Sequence, residues 1–161
     1  MKSDPLITYR RKPATLDVES LQSFAEVLRD RVARGREFHC RITNDAELQA
    51  LNSQFLGRDY PTDVLSFPNG HAPFRRVARD LKRISLGDIA ISIQRAREQA
   101  REWRHAAEDE VRILMLHGVL HLLGMDHESD TGRMKRTETR WRRKLGLPSG
   151  LIERLPTEPQ Q

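Results

Sequence analysis

Residues Leu6 to Tyr9 alternate in polarity and predict a first strand, which Pro13 ends. From Leu16 to Val32 the apolar positions switch to helical spacing, at Leu21, Phe24, Ala25, Leu28 and Val32, with Gly35 as the stop. Alternation returns over Glu37 to Ile42, a second strand. Asn44 followed by Glu47 has the form of a capping box, opening a helix through Leu48, Leu51 and Phe55 that Gly57 closes. Val64 to Pro68, bounded by prolines, predicts a short strand, and residues 69–83 a polar, arginine-rich loop. Leu86 to Ile93 alternates again, and a helix is expected from Gln94 to Arg104. An apolar helix should run from Ala107 to Leu123 and a basic one from Thr131 to Leu145. The count, about four strands and about five helices, predicts an α+β fold with a small mixed sheet. One domain is expected over residues 1–147, with 148–161 a frayed tail.

Composition agrees with a folded domain. The chain has 161 residues, 37% hydrophobic and 32% charged, enough to bury a core. The start, MKSDPLITYRRK, lacks the apolar stretch of a secretory signal, and the longest apolar run, Ile113 to Met125, is too short to span a bilayer. A single cysteine, Cys40, excludes an intramolecular disulfide and suits a reducing compartment, so a cytoplasmic protein is expected.

Charge changes the picture further. The formal net charge is +5, and the excess is local. Arg75 to Arg83 carries five positive charges against one negative, and Arg133 to Lys144 seven against one. Such clusters are the footprint expected for a polyanion such as nucleic acid, although a solvated helix face has the same composition.

The segment MLHGVLHLLGMDH carries the chemistry. His117 and His121 lie four apart, so a helix sets both imidazoles on one face. Gly124 can then turn the chain back at the helix end and return His127 toward the pair. Three neutral imidazoles suit one zinc ion (Zn2+) per chain, with the fourth tetrahedral position open for water, the arrangement of a catalytic site. A lone histidine on an apolar helix is more often a core residue, but three of the chain's six histidines fall in this short segment. The spacing also matches the metzincin metalloprotease pattern except at one position. Where those enzymes carry a glutamate general base, this chain has Gly118.

The run His117 to His127 resembles the signature of the YbeY family, bacterial metal-dependent endoribonucleases of rRNA maturation. Leu51-Asn52, Gly57, Asp59 and the block Pro61 to Pro68 agree with it, as does Leu86-Gly87-Asp88-Ile89. The resemblance implies a compact α+β fold and zinc at His117, His121 and His127. It also implies cleavage of single-stranded RNA in 16S rRNA 3′-end processing and ribosome quality control. The partners expected on that basis are 16S rRNA and the ribosome or its small subunit with assembly factors; neither DNA nor a membrane is expected. The family carries a functional arginine before the glycine matching Gly57, where this chain has Leu56, so Arg58 becomes the candidate phosphate cation.

Among the remaining side chains, Asp63 and Asp88 are the carboxylates to consider near the site. Asp88 could cap a turn, orient a histidine or accept a proton, and it joins Arg58 as a catalytic candidate. Asp126 is expected to fix the turn before His127, and Ser66 to be an ordinary strand hydroxyl. Met134 could floor the metal site or pack in the core; Trp103 and Trp141 could stack on bases or pack. Two other readings stay open: a ribosome-assembly factor whose metal only staples the fold, and a metzincin-like protease.

Overall fold

Four strands build one sheet in the order β1-β2-β4-β3: β1 Ile7–Tyr9, β2 Glu37–Thr43, β3 Val64–Pro68 and β4 Ser85–Ser92. β1, β2 and β4 are parallel, and β3 runs antiparallel to β4 at the edge. Five α-helices complete an α+β domain: α1 Val18–Val27, α2 Asp45–Leu56, α3 Ile93–Trp103, α4 Ala107–Leu122 and α5 Arg133–Leu145. This computed structural model describes residues 5–59, 62–68, 85–126 and 131–148. The expected loop at 69–83, His127 and nearly all of the expected tail lie outside the described residues.

The central strand decides the layering. Every residue of β4 is buried, so both faces of the sheet are covered. Cys40 pairs with Ile89 and Ile42 with Ile91, which sets these side chains on one face, in the core with α1 and α4. The alternate positions face the other way. There Ala90 meets Leu65 and Phe67 of β3 under Leu48 and Leu51 of α2. Cys40 is fully buried and free, and burial pushes its thiol well above the ordinary range, so it stays protonated and unreactive in the folded chain.

α4 is the spine of the domain. Residues Val111 and Ile113 to Leu120 are all buried, a helix apolar around its whole circumference. It packs on β3 and β4 while α1, α3 and α5 lie against its other sides. Three acidic residues, Glu108, Asp109 and Glu110, occupy its first turn, where the helix dipole favours negative charge. No helix among the described residues is long and apolar enough to cross a membrane.

Two local expectations are refined. The helix expected over 16–32 is α-helical only to Val27, and Leu28–Val32 form a π-helical turn. Its wider winding is closed by Ala33 N–H donating to the Leu28 carbonyl at 2.9 Å. Asn44 caps α2 by accepting from Glu47 N–H at 2.9 Å, as expected. Glu47 does not complete the box by reaching back. Its carboxylate turns to Arg41 and Arg10, and the Arg41 hydrogen bond holds it below the usual carboxylate range.

Candidate metal centre

Four residues apart on α4, His117 and His121 share a face as the spacing required. Their rings meet edge to face, with centroids 4.7 Å apart and Nε2 atoms 3.0 Å apart. His117 is buried and His121 partly exposed, so the pair sits at the floor of an opening rather than inside the core. The opening is a cleft of about 440 Å³ between α4, the β3 edge and the end of α2.

A third group orients His117. Glu138, on α5 and 1% exposed, lies with Oε2 2.9 Å from His117 Nδ1. A carboxylate oxygen accepts, so Nδ1 carries the donated proton, and the Nε2 lone pair is left facing the cleft. That is the tautomer a metal ligand needs. Sequence reasoning missed Glu138. The signal was present: it is the lone acid in a stretch of seven basic residues, one turn from Met134. Met134 and Glu138 are the two buried side chains of α5.

The donor set fits zinc. Tetrahedral coordination with Zn–N of about 2.0–2.1 Å spaces neighbouring nitrogens by roughly 3.3 Å, within a few tenths of the observed 3.0 Å. Two Nε2 atoms converge on one point, and the buried carboxylate behind them is the partner that zinc-binding imidazoles regularly have. Among the described residues no cluster of three metal-ligating side chains forms. His127, the expected third, lies outside them. The turn leading to it is in place: Gly124 takes a left-handed φ of 92°, and Met125 N–H donates to the Leu120 carbonyl at 3.1 Å.

Arg58 is brought to the same cleft. Gly57 ends α2 with a left-handed φ of 67°, and Arg58 N–H donates to the Asn52 carbonyl at 3.1 Å. That turn sets Leu56 and Arg58 on the cleft wall with His117 and His121. Asp63 also lines the cleft and accepts from Gln99 Nε2 at 3.0 Å.

Asp88 is not brought there. It pairs in register with His39, and its Oδ1 lies 3.5 Å from His39 Nδ1. Asp88 shares the face of Ala90, under α2, whereas its neighbour Ile89 faces α4. The sheet therefore separates its carboxylate from the histidine pair, and Asp88 belongs to a buried pair with His39 rather than to the cleft. Ser66 has the ordinary role expected, its hydroxyl donating to the Gly118 carbonyl at 3.1 Å and tying β3 to α4. Met134 is fully buried in the main core. Trp103 is exposed, and the Trp141 ring has the Arg31 and Lys144 cations 5.7 and 5.0 Å from its centroid.

Gly118 answers the question raised by the metzincin pattern. A Cβ built on it would stand 2.9 Å from Ile89 Cγ2 and 3.0 Å from Ile89 Cδ1. The helix approaches the sheet so closely at this point that any side chain must displace Ile89, and its Cβ would point at the sheet rather than into the cleft. Gly118→Ala should therefore destabilise the fold, by about 1 kcal/mol. Overpacking a stiff β-branched neighbour costs about 1–3 kcal/mol, and the better helix propensity of alanine returns less than about 1 kcal/mol. Urea denaturation would check it; equal or greater stability in the variant would show that the helix can lift off the sheet freely.

A family model described as Endoribonuclease YbeY matches residues 7–146. The protein of that name from Solibacter usitatus is 55% identical over 149 residues, covering 92% of this chain and 93% of that protein. The one from Nautilia profundicola is 42% identical over 138 residues, covering 86% and 89%. The solution structure of TM1509 from Thermotoga maritima is similar with a TM-score of 0.50 at 28% identity, covering 84% of this chain and 85% of that one.

Proposed function

We propose, from the premise that this chain belongs to the YbeY endoribonuclease family, that it is a zinc-dependent endoribonuclease acting on single-stranded RNA. Its substrate on this reading is 16S rRNA near the 3′ end, presented by the ribosome or small subunit during maturation and quality control in the cytoplasm. The observation that carries the reading is the convergence of the His117 and His121 Nε2 atoms in a cleft that Arg58 also lines.

His117, His121 and His127 would hold the ion. Zinc bound there supplies Lewis-acid polarisation of a phosphodiester oxygen and a water acidified enough to attack near neutral pH. The chain does the rest. Glu138 keeps the His117 ring turned toward the cleft by accepting from Nδ1. The Arg58 guanidinium, a permanently charged planar donor, neutralises charge that develops on the phosphate. Leu56, 42% exposed on the same wall, offers an apolar surface where the family has its arginine.

Arg58→Ala should slow single-turnover cleavage about tenfold with the fold intact. The side chain is exposed, so its contribution is screened below the hundredfold or more of an enclosed oxyanion donor. An unchanged rate would remove Arg58 from the chemistry.

The reading is tested by incubating end-labelled single-stranded RNA with zinc-loaded and chelated protein, and with small ribosomal subunits added to each. Cleavage restricted to the zinc-loaded samples supports it. RNA binding without cleavage in every sample, subunits included, would leave an assembly factor with a structural metal as the better description. A protease is not favoured, because position 118, where such enzymes carry the glutamate base, is a glycine whose Cβ direction meets Ile89 of the sheet.

A further inference from the structure

α4 presents its histidines to one cleft, and its C-terminal end with Leu123 and Met125 just beyond lines another. This second groove, about 740 Å³, runs between the π-helical turn with the loop after it and the outer face of α5. One wall carries Arg31, Arg34 and Arg36, and the facing wall Arg133, Arg136 and Arg140. All six side chains are exposed. Among the described residues, no ion pair takes any of these six, and Arg36 and Arg136 donate to the backbone carbonyls of Ala33 and Thr131.

Six like charges around one groove repel each other and cost stability, so their arrangement calls for an anion. The π-helical turn that ends at Val32, a rare winding that recurs at functional sites, shapes the first wall, and the left-handed turn through Arg34 closes the helix end there. On α5 the arginines at 133, 136 and 140 form one stripe, while Met134 and Glu138 point inward to the core and to His117. One helix thus supports the metal-binding histidine and lines the groove.

Leu123 and Met125, half-buried over the fully buried Leu120, give the groove an apolar patch, and Trp141 lines it with Arg31 5.7 Å and Lys144 5.0 Å from its ring centroid. Guanidiniums for phosphates around an apolar, aromatic surface for bases is the chemistry of a single-stranded nucleic-acid track. We propose that this groove binds the phosphodiester backbone of single-stranded RNA away from the cleft, holding the strand whose neighbouring segment enters at His117 and His121. The inference rests on the endoribonuclease reading for its choice of polymer.

The test is binding of a fluorescent single-stranded RNA by anisotropy, with chelator present so that no strand is cut, over a series of salt concentrations. Arg133→Gln/Arg136→Gln/Arg140→Gln should bind about tenfold more weakly. Its plot of log affinity against log salt should be shallower by about 2, the change expected for three lost contacts to a single strand. Arg11→Gln/Lys12→Gln/Arg101→Gln removes the same charge from exposed positions outside the groove and should stay within about twofold of the unmodified protein. Equal loss in both triple variants, or no loss in the first, overturns the proposal. So does displacement of the RNA by poly-glutamate at matched charge, which would assign the groove to an acidic protein surface. The two readings fail separately. Groove-dependent binding by a protein that never cleaves RNA sinks the endoribonuclease reading alone, and cleavage with groove-independent binding sinks the groove alone.

Discussion

His121→Ala is expected to lose zinc and RNA cleavage together while keeping its fold. Structural zinc sites bind with about 10–16 kcal/mol, so each ligand of a three-histidine site carries roughly 3–5 kcal/mol. Removing one should lower zinc affinity by about a hundredfold to several thousandfold and take cleavage below detection. The fold should survive because His121 is only partly buried at the cleft floor and its truncation opens no sealed cavity. Metal content by atomic emission, far-ultraviolet circular dichroism and single-turnover cleavage, measured on one preparation, separate the possibilities. Zinc loss with full cleavage would sink the metal-centred mechanism, and zinc retention with lost cleavage would move His121 from ligand to some other part in the reaction.

Glu138 should prove to be a positioning residue, with a smaller effect than His121. In Glu138→Ala the buried His117 Nδ1–H loses its acceptor, which costs about 1–3 kcal/mol of stability. The ring is then free to turn its Nε2 away from the pair, and outer carboxylates of this kind are worth about 10–100-fold in metal affinity. Glu138→Gln keeps an acceptor oxygen of the same reach and should recover most of the affinity. A competition titration against a chromogenic chelator reads this directly. A core residue with no bearing on the metal would lower stability in both variants and leave zinc affinity where it was. That pattern would refute the assignment.

The contrast between His121 and Glu138 shows where the sequence is legible. His117 and His121 are four residues apart on one helix, so the geometry of the α-helix alone brings them together. Glu138 reaches His117 only because α5 packs against α4, a relation no local pattern encodes. The same holds for Asp88. Beside Gly87 in an alternating strand it reads as a candidate near the site, but its face depends on register: His39 opposite it, and Ile89 turned toward Gly118.

Local physics fixed much of the rest. The caps at Asn44 and Gly57 bound α2 where the sequence puts them, and Gly124 ends the histidine helix in the left-handed turn its position required. Short-range hydrogen bonding and steric preference act between neighbours, so those features are written in neighbouring residues. The sequence by itself therefore determined the elements, the α+β class, the family signature and the histidine pair. Only the tertiary structure decided the order β1-β2-β4-β3, the approach of α4 that sets position 118 against Ile89, the Glu138 support and the groove between two arginine walls. Each of these depends on contacts between segments distant in the chain, where burial of the whole core, rather than any local preference, selects the arrangement.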